Sequence, residues 1–357
     1  MSGDRYGSHR VLEPKGVLPQ PAWAIDNDFS HLWDNEILVD VDTLNVDAAS
    51  FLNLKTRAEG VAEDVGNLVK CIVCTRGKLH NPETGSGGMF IGRVAKVGPD
   101  CPSCVDLKEG DKIASLVSLS LTPLYIDKIK KIHMETDKVD IEGQAVLFPS
   151  GIWAKIPSDL PESLVLSVLD VAGAAAQTER LVWEDDIVAV LGARGKSGML
   201  CCSQAKRNGA RQVIAVVHSR KGIEDVQKAP FIDDVIIADA TNALDIREKI
   251  WKITDGEMCN GVISCVSVPD CEMGAILATQ EGGWIYFFSM ATDFNKAALG
   301  AEGVGKDIEM IIGNGYCMGH AELTLNIMRK NKYLRRLYTK RYCDEEELER
   351  LEMADKK

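Results

Sequence analysis

The rhythm of hydrophobic and polar positions changes near residue 186. Beyond it, short uninterrupted apolar runs at 187–191, 213–217, 235–238, 261–265, 284–288 and 309–312 alternate with segments at 197–208, 243–253 and 269–279. In these segments apolar residues recur every three or four positions. In 197–208, for example, Met199, Cys202 and Ala205 form one stripe. A strand that is apolar throughout is covered on both faces, and amphipathic helices between such strands supply the cover. The pattern therefore predicts an α/β unit of Rossmann type, built on a doubly wound parallel sheet.

The first half reads differently. Ile37, Val39 and Val41 alternate with Leu38, Asp40 and Asp42, the period of a strand with one buried face. A short helix is expected over 47–54, a buried strand over 68–75, a Gly-Ser-Gly-Gly turn at 85–88, and strands at 90–97, 110–114 and 152–157. Short strands separated by glycine turns predict a small, partly open β-barrel. Before it, residues 6–26 carry prolines at 14, 19 and 21 and read as an irregular arm of the kind that drapes over a cleft.

Pro157, Ser158 and Pro161 mark a boundary before a helix over 162–180. The expected division is thus a small β domain at 1–165, an α/β domain at 166–315, and a last segment at 316–357. That segment opens with a helix at 322–328, followed by seven positive side chains between Arg329 and Arg341 and an acidic run from Asp344 to Glu352. Adjacent blocks of opposite sign read as a solvated helix with local ion pairs, anion binding being the alternative.

Composition narrows the class. A 357-residue chain with 45% hydrophobic and 26% charged residues can bury the cores of two domains. A net charge of -12 argues against nucleic acid as a partner, because phosphate backbones select clustered positive charge. The longest apolar run, 164–176, is too short to span a membrane and is interrupted by Asp170. Eleven scattered cysteines suit a reducing compartment, so a cytoplasmic protein is expected.

The chemistry concentrates where the run 187–191 ends in Gly192-Ala193-Arg194-Gly195-Lys196-Ser197-Gly198. Glycines at these steps let a pyrophosphate approach the backbone, and the N–H groups opening the next helix attract its oxygens. This points to a nicotinamide dinucleotide. About 20 residues further on, where an acid would bind the ribose 2′-hydroxyl of NAD, stand Ser219, Arg220 and Lys221. A small hydroxyl followed by two cations suits the 2′-phosphate of NADP, with NAD use left open. Cys265, Val266, Ser289 and Met290, just past two later strands, complete the expected cofactor contacts. Arg194 and Lys196 are expected to be phosphate partners, solvent exposure being the alternative.

Asp170 is an acid inside an apolar run. It is expected either to face solvent or a neighbouring N–H, or to be buried in a cleft between domains where a carboxylate binds an ammonium or takes a proton. His9 stands out among the histidines only because it lies on the arm; His31, His80, His133 and His320 read as structural. Cys71-x-x-Cys74 and Cys101-x-x-Cys104 have the spacing of a four-thiolate zinc site. Cys71 and Cys74, however, fall in the apolar run expected to be a strand, so buried or loop thiols are expected rather than metal ligands.

The order of a small β domain containing Gly110-Asp-Lys-Ile-Ala114, a helix, the glycine loop and a six-strand sheet resembles the medium-chain dehydrogenase/reductase superfamily, which implies a GroES-like substrate and catalytic domain at 1–165, a dinucleotide-binding domain at 166–315 and a return segment to the catalytic domain at 316–357. The metal ligands of its zinc branch do not appear. Leu44-Asn-Val-Asp47 stands where a cysteine is looked for, Gly88-Met-Phe-Ile-Gly92 replaces Gly-His-Glu, and 114–129 lacks the cysteines of the zinc lobe. No catalytic metal is therefore expected.

Within the superfamily, Tyr6-Gly-Ser-His-Arg-Val-Leu-Glu-Pro and the rest of the arm to Trp23, with Asn45-Val-Asp-Ala-Ala-Ser-Phe51, is similar to the L-erythro-3,5-diaminohexanoate dehydrogenase family of bacterial lysine fermentation. The resemblance implies oxidative deamination of the carbon-3 amine to give 5-amino-3-oxohexanoate and ammonia. It also implies a homodimer or homotetramer, and a reaction usually written with NAD. It casts Asp170 as the holder or base of the reacting amine, Asp47 as the second candidate, and Arg10 with His9 as the clamp on the substrate carboxylate, a surface charge being the alternative for Arg10. Two rivals remain: an NADPH-dependent enone or quinone reductase, and a non-catalytic cofactor-binding protein.

Overall fold

The structure is a computed structural model that describes residues 1–82, 85, 87–101, 106–313, 315–343 and 347–348. Ser86 of the expected glycine turn, Cys104, and all but 347 and 348 of the acidic run from Asp344 lie outside the described residues. The chain divides into two compact units, Met1–Glu162 and Ser163–Lys357.

In the first unit, β1 (Val11–Glu13) and β2 (Ala24–Ile25) form a small antiparallel ladder after a 3-10 turn at Ser8–Arg10. A six-stranded antiparallel sheet follows, built from β3 (Ile37–Asn45), β4 (Met89–Val97), β5 (Lys112–Ser115), β6 (Leu124–His133), β7 (Lys138–Leu147) and β8 (Trp153–Lys155), in the order β6-β7-β3-β4-β5-β8. Central β3 alternates buried and less buried positions until Val41, where both of its ladders shift register before Thr43. The extra residue resets the parity, so Leu44 and Asn45 are both buried at the strand's end.

Two helices, α1 (Ala48–Arg57) and α2 (Ala62–Arg76), pack with this sheet. The expected strand at 68–75 is the second half of α2. Its Val65, Val69 and Val73 are buried four residues apart, Glu63 and Asp64 complement the first turn, and Gly77 in the left-handed conformation ends it. A window starting at 68 cut this helical stripe in half and left an apolar, β-branched run. Cys71 and Cys74 are consequently exposed helix residues. The Lys-rich hairpin β6–β7 was missed because only its first positions and scattered later ones are buried.

The second unit holds the expected parallel sheet, β11-β10-β9-β12-β13-β14. Its strands are β9 (Ile187–Leu191), β10 (Gln212–Val217), β11 (Asp234–Ile237), β12 (Cys259–Ser264), β13 (Thr279–Phe287) and β14 (Glu309–Ile312). Every residue of central β9 is buried. The connecting helices are α5 (Lys196–Arg207), α6 (Glu224–Gln227), α7 (Ala243–Ile253), α8 (Glu272–Ala278) and α9 (Phe294–Val304).

The helix expected over 162–180 is two, α3 (Glu162–Leu169) and α4 (Ala172–Leu181), and the break falls at Asp170–Val171. The segment expected to return to the catalytic domain forms α10 (His320–Lys330) and α11 (Lys332–Tyr342). Both belong to the second unit, where Asn331 Nδ2 donates to Ser203 Oγ at 2.9 Å and Thr324 Oγ1 to Ala172 O at 3.4 Å. Buried Leu325, Met328, Leu334 and Tyr338 supply the apolar stripe that keeps them there.

Candidate active site

In the second unit the glycine loop is shaped by backbone contact. Gly192 has φ +77°, and its N–H donates to Val216 O at 3.0 Å across the β9–β10 junction. A Cβ at Gly198 would lie 2.5 Å from Gly192 O and 2.7 Å from Ala193 Cα, so α5 starts in contact with the loop. Gly195 is the helix N-cap and no side chain caps it. The first-turn N–H groups of α5 thus have no capping oxygen, and the cradle fits a pyrophosphate.

The loop's side chains do not stand free. Arg194 Nη1 donates to Lys221 O at 2.6 Å and so ties the loop to the turn that carries exposed Ser219, Arg220 and Lys221. Lys196 Nζ bonds Asp170 Oδ2 at 2.7 Å. The two residues expected as phosphate partners therefore begin as braces. Asp170, at the α3–α4 break, is exposed and paired with the loop lysine.

Helix α11 props the same loop from outside. Tyr338 Oη donates to Lys196 O, Arg341 Nη1 to Arg194 O at 3.0 Å, and Arg341 Nη2 to Asp225 Oδ2 at 2.7 Å. The basic segment was expected to be solvated; three of its side chains, counting Tyr333 on Asp225 O at 2.6 Å, instead hold the loop's surroundings. Sequence carried no signal for this, since the partners lie more than 100 positions away.

Cys265 lies against Gly192, whose absent Cβ would be 3.1 Å from its carbonyl carbon. Hydrogen bonds with Cys201 and Ser197 hold the Cys265 thiol below its ordinary value, while burial pushes Cys201 up. Val266 is half-buried, Ser289 Oγ accepts from Ala291 N at 3.2 Å, and Met290 is exposed.

In the first unit, Arg10 is a correction. It is 1% exposed and wholly engaged: Nε and Nη2 donate to Glu36 Oε1 and Oε2 at 2.6 and 2.7 Å, Nη1 to Asp28 O at 3.2 Å, and Nη2 also to His31 O at 3.1 Å. No donor is left for a substrate carboxylate. His9 is likewise committed, with Asp4 N donating to Nδ1 at 2.9 Å and Nε2 donating to Glu36 Oε1 at 2.9 Å. Burial pushes Glu36 up, but the bonds from Arg10 and His9 outweigh it and leave the carboxyl below its ordinary value. The pair expected to clamp substrate is the knot that fastens the arm to the start of β3.

Asp47 stands between β3 and α1. It caps α1, Oδ1 accepting from Ser50 N at 3.0 Å, while its Oδ2 is buried without a partner. One other side chain of this unit's described residues shares that condition, His80, whose Nδ1 is buried and unpartnered. A buried polar atom left unpaired costs about 1–3 kcal/mol, which a bound ligand recovers. His80 had read as structural; nothing in one sequence marks an unpaired atom. Burial, Lys78 and Arg76 push its imidazole down to about 4, and burial pushes Lys78 down to about 7. Among the described residues, no group of three or more His, Cys, Asp or Glu is placed to share a metal ion.

Residues 9–157 match the family model of the L-erythro-3,5-diaminohexanoate dehydrogenase N-terminal domain. Over 344 residues the chain is 51% identical to the L-erythro-3,5-diaminohexanoate dehydrogenase of Acetoanaerobium sticklandii, covering 96% of this chain and 100% of that one. The chain belongs to the L-erythro-3,5-diaminohexanoate dehydrogenase family. The Fusobacterium nucleatum member is 52% identical over 342 residues, 95% of this chain and 99% of its own.

The fold of this family member is that of the medium-chain oxidoreductases. An alcohol dehydrogenase from Thermotoga maritima superposes with TM-score 0.56 at 16% identity, covering 87% of this chain and 86% of its own. A mycobacterial protein solved with NADPH gives 0.57 at 13% identity, covering 86% and 84%. In both solved structures the likeness lies in the fold, a parallel sheet with a second, antiparallel one.

Proposed function

We propose that the chain catalyses oxidative deamination of L-erythro-3,5-diaminohexanoate to 5-amino-3-oxohexanoate and ammonia, as a step of lysine fermentation. The observation that carries this reading is identity above one half along essentially the whole length of relatives that bear this name. The bound nicotinamide supplies a hydride acceptor. The C3–H bond gives up its electron pair as hydride, the amine becomes an imine with loss of a proton, and water replaces nitrogen to leave ketone and ammonia.

The chain's own residues position these steps. Asp47 Oδ2, buried and unpaired, accepts from a substrate ammonium. Asp170 takes the proton from the reacting amine, and its ion pair with Lys196 couples that role to the phosphate loop. Loop and helix N–H groups hold the pyrophosphate. Exposed Ser219, Arg220 and Lys221 at the end of β10 favour the 2′-phosphate of NADP over the bare hydroxyl of NAD. A cytoplasmic homodimer or homotetramer is the expected working form.

The test is to offer the diamino acid with NAD and NADP separately and follow reduced nicotinamide. Turnover with a lower KM for NADP supports the reading. Failure with both cofactors overturns the function, and a clear preference for NAD overturns the cofactor assignment alone.

A further inference from the structure

With Arg10 consumed by Glu36, the substrate carboxylate lacks the partner that the sequence suggested. The first unit offers another. Gly87 and Gly88 are adjacent residues pressed against two different segments: a Cβ on Gly87 would lie 2.1 Å from Leu79 O, and one on Gly88 would lie 2.0 Å from Asn45 O and 2.8 Å from Val46 Cα. The segment ending in Asp47 and the segment carrying His80 are thereby held side by side. Asn81 Nδ2 adds a bond to Asn53 Oδ1 of α1 at 3.3 Å.

The two unpaired atoms at this crossing differ in electrostatic setting. Asp47 is an acid. His80 follows Arg76 and Lys78, which bond backbone carbonyls: Lys78 Nζ donates to Pro19 O and Gln20 O at 2.6 and 2.9 Å, and Arg76 Nε and Nη1 donate to Trp23 O and His80 O, both at 2.9 Å. The guanidinium charge of Arg76 beside His80 favours an anion and disfavours an ammonium, whereas Asp47 does the reverse. Only His80 in that cluster has a buried nitrogen left to donate.

We propose that His80 binds the carboxylate of the substrate through an Nδ1–H donor, opposite the ammonium-binding Asp47, so that the pair reads the two ends of a zwitterion. This rests on the diamino acid being the substrate. His80 is a binding residue in this assignment and takes no part in the proton transfer.

The experiment compares the parent with His80→Phe, which keeps a ring and removes the donor, and His80→Asn, which restores an amide donor near the position of Nδ1. Kinetics are measured with the diamino acid and with 2,4-diaminopentane, which lacks the carboxylate. His80→Phe should raise KM for the diamino acid at least tenfold with little change in kcat. It should leave the diamine unaffected and cofactor affinity within twofold, and His80→Asn should recover most of the loss. An unchanged KM for the diamino acid, or equal losses on both substrates, overturns the proposal. If the parent turns over neither compound, the proposed function fails, and calorimetric titration of butyrate into parent and His80→Phe still decides the carboxylate site. Should His80→Phe not fold, the ring 15N shift of His80 in the parent with and without the diamino acid reports the same contact, and no shift overturns it.

Discussion

The glycine loop and the N-terminal arm both carry charged residues, yet they use them oppositely. In the loop, the shape lies in the backbone: Gly192 and Gly198 make a cradle by what they lack, and Arg194 and Lys196 serve as braces. In the arm, side chains do the holding, and the Arg10–Glu36 pair is buried to within 1% of complete exclusion from water. Two N–H groups of one guanidinium on two carboxylate oxygens form a strong, directional contact, but the burial that makes it strong also removes Arg10 from solution. A charged residue near an expected site is therefore informative only once its partner is known.

The sharpest way to break this comparison is to remove one half of the arm pair. Arg10→Met should cost about 3–5 kcal/mol in denaturant titrations, because it leaves Glu36 buried and uncompensated. The double variant Arg10→Met with Glu36→Leu should regain much of it, and KM for the diamino acid should stay near the parent value in whatever fraction folds. A selective rise in KM with stability intact would return Arg10 to the substrate site.

Gly198→Ala tests the loop. Its methyl would have to enter a space 2.5 Å from Gly192 O, and cofactor Kd should rise tenfold or more, about 1.4 kcal/mol, as read by quenching of protein fluorescence. Tyr338→Phe should weaken cofactor binding less, about fivefold, through loss of one hydrogen bond worth about 1 kcal/mol; no change would mean that α11 does not set the loop.

Acid acts on the His80 region as well. His80 is pushed down from 6.5 to about 4, so the unfolded chain binds a proton there that the native one does not. Its contribution to stability is present above pH 6.5 and is lost as pH falls towards about 4. His80→Phe should flatten the stability profile across that interval, whereas an unchanged slope would assign the acid sensitivity to other groups.

The sequence revealed what periodicity and glycine spacing govern. The six parallel strands, the loop and the strand β3 stand where the patterns put them, because each is decided by residues within a few positions of itself. The errors share a cause. The run at 68–75 looked like a strand because its buried partners, Val65 and Gly66, lay just upstream of the window. The basic segment looked solvated because Asp225, Arg194 and Lys196 are distant in sequence. Arg10 and His9 looked available for the same reason, and His80 looked inert because an unpaired nitrogen is a property of three-dimensional surroundings. Long-range side-chain pairing is what one sequence does not display.

The most direct measurement is a mass balance on the reaction itself. Purified protein is incubated with the diamino acid and oxidised nicotinamide dinucleotide, and ammonia, the 3-oxo product and reduced cofactor are quantified together. Equal amounts of all three are expected, formed at a rate proportional to protein. Oxidised product without ammonia, or no reduction of cofactor by the diamino acid alongside oxidation of reduced cofactor by a simple enone, would contradict it.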